Sequence, residues 1–219
     1  MHASSLSVGQ QLIQEIRNTT LLEWVGAITG AACVYLAARQ SIWNWLVAIV
    51  SVLAYSIVFY KNQLYGDAVL QMYFLSTCVY GWYFWLKKTE KDEKPITSLT
   101  NQGLALTALA TVALALVLGF ILDKFTPTNV PYIDGFCTAV SFVAQLLMTR
   151  KVLQNWALWV FVDACYVPLY IYKRLYLTAL LYVILFVIAY KGYIDWNKQY
   201  KKTVIPMSKG LHLEKKEQN

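Results

Sequence analysis

The sequence predicts an all-α membrane protein whose seven transmembrane helices form two parallel three-helix repeats joined by a linker helix, a 3+1+3 arrangement. Three observations predict this fold: the composition, a series of apolar segments and an internal repeat. Of the 219 residues, 58% are hydrophobic and 14% are charged. A soluble domain has roughly 45–50% apolar and about 25% charged residues. The chain departs from that composition in both directions, which favours a membrane protein.

Seven apolar segments are long enough, or nearly so, to cross a bilayer, which takes about 20 mostly apolar residues. They are residues 21–38, 43–60, 66–86, 102–122, 132–148, 156–172 and 176–195. Residues 1–20 are too polar to span and predict an amphipathic segment lying on the membrane surface. Its apolar positions are Leu6, Leu12, Ile13 and Ile16.

An internal repeat emerges when the first half of the chain is laid over the second at a residue-number difference of 111. The matched positions include Arg39 with Arg150, Asn44–Trp45 with Asn155–Trp156, Tyr55 with Tyr166, Gly81 with Gly192 and Trp85 with Trp196. Similarity at a fixed offset is the signature of a repeated structural unit. The sequence therefore predicts two copies of one three-helix unit, at residues 21–86 and 132–196.

The linker between the two repeats spans residues 87–122. It begins with "KKTEKDEKPITSLT" (87–100), which is predicted to be solvated, and continues into the apolar segment 102–122. Three spans invert the chain direction and a fourth restores it, so the linker helix is predicted to make the repeats parallel.

The basic residues predict the orientation, because cytoplasmic loops carry an excess of Lys and Arg. One side of the predicted topology holds five of them and the other holds thirteen, including the lysines of the tail, residues 197–219. The N-terminus is therefore predicted outside and the C-terminus in the cytoplasm. The same charges account for the net charge of +7 without a nucleic-acid partner.

The sequence does not contain the residue patterns that several classes of function require. The two histidines, His2 and His212, are near the termini, and the four cysteines lie in apolar runs without a CxxC pair. We therefore expect no metal site, no disulfide framework and no cofactor. Neither a Ser/His/Asp set nor a phosphate-binding loop is present, so an enzyme is not expected.

Asp163 is the most informative polar residue, because a carboxylate at the centre of a membrane helix costs roughly 2.5–3.5 kcal/mol on insertion scales. At 3.6 residues per turn, Trp159 and Tyr166 share its helix face. A carboxylate between aromatic rings suits a flat organic cation, through stacking, cation–π attraction and counter-charge. In the alternative interpretation, Asp163 pairs with Lys173, Arg150 or another buried group and only holds helices together.

Further site candidates are amides and tyrosines. Gln71 lies in the middle of the third segment, and Gln145 lies on the fifth, four residues after Ser141. A buried amide suits a carboxamide or a ribose hydroxyl, although it also forms hydrogen bonds between helices. Tyr166 and Tyr73 are weaker candidates.

Two groups of positions shared by the repeats predict scaffold rather than site. Asn44 and Asn155 begin the second helix of each repeat, where capping is expected. Four tryptophans near segment ends predict an aromatic belt at the membrane interface. They are Trp45, Trp85, Trp156 and Trp196.

The stretches "LQMYFLSTCVYGWYFW", "LLMTRKVLQNWALWVFVDACYVPLYIYK" and "LYLTALLYVILFVIAYKGYIDW" together resemble the PnuC family of vitamin transporters, best known for nicotinamide riboside uptake. The resemblance covers the chain from Trp24 to Trp196. It implies a SWEET-like fold, homotrimers in the bacterial inner membrane, and facilitated diffusion with phosphorylation in the cytosol trapping the vitamin.

The resemblance also implies site residues. Gln71 matches a glutamine of the family, and Trp159 matches the aromatic residue that stacks on the bound vitamin. Asp163 stands where some relatives have Asn. Nicotinamide riboside is the favoured substrate, and the alternatives are a thiamin carrier of the same family, a small-solute or sugar carrier of the wider SWEET-like class, and a membrane scaffold that transports nothing.

Overall fold

The computed structural model of the chain describes residues 7–61, 65–87, 95–126, 128–172 and 174–217, with the backbone alone for 65–69 and 204–217. These residues form eight α-helices. They are α1 (Val8–Asn18), α2 (Leu21–Ala38), α3 (Trp43–Lys61), α4 (Tyr65–Leu86), α5 (Asn101–Phe125), α6 (Pro131–Thr149), α7 (Gln154–Tyr172) and α8 (Tyr176–Glu217). The bounds of α2 to α7 follow the predicted apolar segments within a few residues.

Five helices of the described chain are long and apolar enough to cross a membrane. They are α2, α3, α5, α6 and α8, the last over residues Tyr176–Thr203. The other two long helices, α4 and α7, pack among them: α4 contacts α3 and α6, and α7 contacts α6 and α8. The chain is therefore an all-α, multi-pass membrane protein.

The helix contacts have the same order in the two halves of the chain. In the first half α2 packs on α3 and α3 on α4, and in the second half α6 packs on α7 and α7 on α8. The halves meet where α2 contacts α8 and where α4 contacts α6. These two contacts correspond to each other when α2, α3 and α4 are matched with α6, α7 and α8. Helix α5, the predicted linker helix, packs on α6.

The turns before α3 and α7 repeat the same backbone geometry. Gln40 and Lys151, which occupy equivalent positions in the two repeats, both have φ of 54°. In one turn the Asn44 side-chain amide donates to the Ser41 carbonyl over 2.7 Å, and in the other Asn155 donates to the Val152 carbonyl over 2.6 Å. The predicted caps are thus wrong in detail, because each side chain donates back to the turn instead of accepting from the helix N–H groups.

The four repeated tryptophans form one buried cluster, which defines the tryptophan end of the bundle. The rings of Trp45 and Trp85 meet edge to face at 5.3 Å, those of Trp156 and Trp196 do so at 5.5 Å, and Trp85 and Trp196 join the pairs at 6.1 Å. Their exposed fractions are 1%, 8%, 0% and 0% for Trp45, Trp85, Trp156 and Trp196. The predicted interfacial belt is therefore wrong: these rings pack on each other inside the protein.

Two indole hydrogen bonds connect the halves at the tryptophan end. Trp85 Nε1 on α4 donates to the Thr149 carbonyl of α6, and Trp196 Nε1 on α8 donates to the Ala38 carbonyl of α2, each over 3.1 Å. Ala38 and Thr149 are equivalent positions of the internal repeat, as Trp85 and Trp196 are, so the repeat relates the two bonds to each other.

Two predicted peripheral segments differ from expectation. The linker loop 87–100 was expected in solvent, but Ile96 is buried and Thr97 pairs with the backbone of Lys151 and Leu153 over 3.0 and 2.8 Å. Residues 88–94 lie outside the described chain. Helix α8 does not stop at residue 195 but continues to Glu217.

The predicted surface segment at the N-terminus contains helix α1. Val8, Ile13 and Ile16 are exposed on it, as a helix lying on a membrane requires; Leu6 lies outside the described residues. Glu15 anchors α1 to the rest of the chain, since its carboxylate accepts from the N–H groups of Tyr176 and Leu177 over 3.1 and 2.7 Å. The carboxylate thereby caps the first turn of α8.

Candidate functional site

Asp163 is buried at the midpoint of α7, with 3% of its surface exposed. In the part of the chain that the structure describes, neither a hydrogen bond nor a salt bridge reaches its carboxylate. The scaffold interpretation named Arg150 as a partner, but Arg150 is exposed and its guanidinium lies over the Tyr80 ring at 6.0 Å. Lys173, the other named partner, lies outside the described residues. The structure thus shows a buried carboxylate that Arg150 does not neutralise.

Aromatic side chains lie on both sides of Asp163 along α7. Trp159, one turn nearer the tryptophan end, is half-buried and packs against two hydrophobic clusters, one that spans both halves and one within the second half. On the other side Tyr166, Tyr170 and Tyr182 form a tyrosine cluster, with ring centroids 4.7 to 5.6 Å apart. The predicted row of Trp159, Asp163 and Tyr166 along one face of α7 is therefore present, and Tyr182 of α8 extends it.

Helices α6 and α7 form an antiparallel hairpin, which sets the depth of the polar residues. Counted from the turn at residues 150–153, equal steps along the two helices place Gln145 within one residue of the level of Trp159 and Ser141 within one residue of the level of Asp163. The side chain of Tyr166 on α7 lies close to Ser141 on α6. The polar residues of α6 therefore lie at the same depth as the site residues of α7.

Gln145 and Tyr73 both connect α6 with α4. Gln145 Nε2 donates to Thr77 Oγ1 over 3.4 Å. The Tyr73 hydroxyl donates to the Phe142 carbonyl over 2.9 Å, and the two rings lie 4.3 Å apart. The Tyr73 hydroxyl proton therefore forms a hydrogen bond between α4 and α6, and Tyr73 stabilises the packing of these two helices.

Gln71 is buried on α4, with 9% of its surface exposed. Helices α4 and α7 make no close backbone contact over the described residues, and both pack on α6. Gln71 and Asp163 therefore lie on two helices that share α6 as a neighbour.

Two candidate site residues, Tyr182 and Thr77, were not predicted from the sequence. Tyr182 stands at the position of the second repeat that is equivalent to Gln71 in the first, so the repeat was a usable signal for it. Thr77 carries no such signal, because a threonine in an apolar helix usually bonds its own backbone.

Comparison with known proteins agrees with this fold. The family model described as nicotinamide mononucleotide transporter matches residues 20–198. The nicotinamide riboside transporter PnuC of Escherichia coli strain K12 is 30% identical over 201 residues, covering 80% of this chain and 84% of that protein. The riboflavin/roseoflavin transporter RibM of Streptomyces davaonensis is 29% identical over 197 residues, covering 86% of this chain and 90% of that protein.

A solved structure is similar as well. The crystal structure of the vitamin B3 transporter PnuC matches with a TM-score of 0.68 and 29% identity, covering 89% of this chain and 88% of that chain. Fold and site together define a multi-pass membrane transporter. The chain belongs to the PnuC family.

Proposed function

We propose that this protein carries nicotinamide riboside across the membrane by facilitated diffusion, with phosphorylation in the cytosol trapping the vitamin. The observation that carries the proposal is Asp163: a buried carboxylate one helical turn from Trp159, without a cationic partner among the described residues. An unpaired charge is costly inside a membrane protein. A flat cationic ring supplies both the missing charge and a surface for stacking.

The roles of the site residues follow from their chemistry. Trp159 stacks on the pyridinium ring and Asp163 supplies the counter-charge. Gln71 and Gln145 form hydrogen bonds with the carboxamide or the ribose. Tyr166 lines the site beyond Asp163, and Tyr73 contributes less, since its hydroxyl proton is already donated to Phe142.

The proposed topology has seven spans in a 3+1+3 order, with the linker 87–122 between the parallel repeats 21–86 and 132–196. The repeated turns at Gln40 and Lys151 and the matching contacts between the halves support it. The tryptophan end faces the cytoplasm in this topology, together with the tail 197–219. Residues 1–20, at the opposite end, lie on the outer membrane surface.

Assembly and location rest on the resemblance to the family: we propose homotrimers in the bacterial inner membrane. Light scattering on the detergent-solubilised protein measures the number of chains directly. A monomeric or dimeric particle contradicts this part of the proposal and leaves the substrate unaffected.

Titration calorimetry of the purified protein with nicotinamide riboside, thiamin and riboflavin tests the substrate. Nicotinamide riboside is expected to bind most tightly. Asp163→Ala weakens its binding strongly, and Asp163→Asn weakens it less because a polar group remains. Val52→Ala, at the equivalent buried position of the first half, is the matched control and leaves affinity unchanged. Wild-type affinity in both Asp163 variants contradicts the proposed site.

Uptake into proteoliposomes tests the mechanism. Without a phosphorylating enzyme inside, facilitated diffusion only equalises the concentrations of nicotinamide riboside, and an enclosed kinase with ATP is needed for further uptake. Accumulation above the outside concentration without the kinase contradicts facilitated diffusion.

A riboflavin carrier is the second candidate, favoured by the similarity to RibM. Riboflavin is flat but uncharged, so its binding gains nothing from a carboxylate counter-charge. If riboflavin is the substrate, it binds most tightly of the three vitamins, and Asp163→Asn leaves that binding unchanged. If none of the three binds, the scaffold interpretation is favoured.

A further inference from the structure

Thr77, a buried residue of α4, takes part in two hydrogen bonds. Its hydroxyl donates to the Phe74 carbonyl over 2.9 Å, and it accepts from Gln145 Nε2 over 3.4 Å. A threonine hydroxyl has a single proton. Because the shorter bond to Phe74 uses that proton, the Thr77 oxygen offers only lone pairs to Gln145.

This restriction determines how the Gln145 amide is oriented. An amide has a donor end, Nε2, and an acceptor end, Oε1. Only the donor end can face an oxygen whose proton is used elsewhere, so Oε1 points away from Thr77. No described residue donates to this Oε1, which leaves it as an acceptor for a further group.

The depth of Gln145 indicates which group that is. Across the hairpin of α6 and α7, Gln145 lies within one residue of the level of Trp159. In the proposed function Trp159 stacks on the pyridinium ring, so Gln145 lies at the height of the ring and its substituent. The carboxamide substituent carries N–H groups that can donate to Oε1.

We propose that Thr77 is a positioning residue that gives the site its preference for a carboxamide over a carboxylate, by holding Gln145 with Oε1 toward the ligand. This inference rests on the proposed function. A ring with a carboxylate has no N–H to donate and would place its oxygens against Oε1, which leaves acceptors facing each other.

The test compares nicotinamide riboside with its analogue in which a carboxylate replaces the carboxamide. In Thr77→Val, which keeps the shape of the side chain and removes the oxygen, the Gln145 amide is free to turn and present Nε2. The ratio of the two dissociation constants is then expected to fall about tenfold, the range of one hydrogen bond to a charged group. The change comes mainly from tighter binding of the carboxylate analogue.

Thr77→Ser is the matched control, since it restores the hydroxyl and is expected to restore the wild-type ratio. Thr77→Ala repeats the removal if Thr77→Val fails to fold. An unchanged ratio in the folded variants overturns the role of Thr77 while the wild-type protein still binds nicotinamide riboside. If the wild-type protein does not bind nicotinamide riboside, the proposed function fails and the inference fails with it.

Discussion

Gly81 lies directly against the indole ring of Trp45. The equivalent residues of the second half, Gly192 and Trp156, make the same contact, and a Cβ added at Gly192 would lie 3.0 Å from three ring atoms. A Cβ added at Gly81 would lie even closer to the Trp45 ring. Because Trp45 also packs edge to face on Trp85, its ring has no free space to enter.

Gly81→Ala is therefore expected to destabilise the protein by about 1–3 kcal/mol, the usual effect of overpacking a core. Gly192→Ala is expected to have a smaller effect, because the ring there needs to move less. A thermal melt in detergent measures both. Gly9→Ala on α1, where an added Cβ meets nothing within 4 Å, is the control, and a melting temperature for Gly81→Ala equal to that of Gly9→Ala would contradict the prediction.

Asp163→Val is expected to raise the melting temperature of the ligand-free protein while removing nicotinamide riboside binding. Valine is the residue at the equivalent position 52, which is also buried. Replacing a buried, unpaired carboxylate with an apolar group relieves a desolvation cost of at least about 1–3 kcal/mol. The measurement is a thermal melt together with calorimetry. A lower melting temperature would indicate that Asp163 has a stabilising partner, and Lys173 would be the first to test.

Trp159→Ala is expected to weaken nicotinamide riboside binding about tenfold or more, because ring stacking contributes about 1–3 kcal/mol. Trp159→Phe keeps a smaller ring, so its affinity for nicotinamide riboside is expected to lie between those of the wild-type protein and Trp159→Ala. Trp43→Ala is the control, since Trp43 is 63% exposed and belongs to no core. Calorimetry resolves the series, and equal affinities for the Phe and Ala variants would exclude stacking at this position.

Glu15→Ala is expected to release the first turn of α8, because it removes the acceptor of the Tyr176 and Leu177 N–H groups. A lost cap costs about 1 kcal/mol, so hydrogen exchange at these two amides should become about fivefold faster. Gln14→Ala, on the exposed side of α1, is the control. Unchanged exchange in Glu15→Ala would show that water or another side chain replaces the carboxylate.

The helices and the repeat were predictable from the sequence because both depend on patterns along the chain. Apolar runs determine where α2 to α7 lie, and the constant offset of the repeat predicts that Gln40 and Lys151 share a turn. The environment of Trp45 and Trp156 was not predictable. Their helices are apolar on all sides, so position near a segment end does not distinguish lipid from a neighbouring helix.

Part of the candidate site was also predictable. Asp163 stands out because charge is costly in an apolar segment, and Trp159 and Tyr166 follow from helical spacing. Thr77 does not stand out. Its importance depends on which helix packs opposite, and the pairing of α4 with α6 joins residues 68 positions apart in the chain.

The two indole hydrogen bonds, from Trp85 to Thr149 and from Trp196 to Ala38, also bear on the kinetics of opening. Each bond runs from one half of the bundle to the other, and the internal repeat relates them. A movement that separates the halves at this end without tilting them lengthens both bonds. Both bonds then add to the activation barrier of that movement.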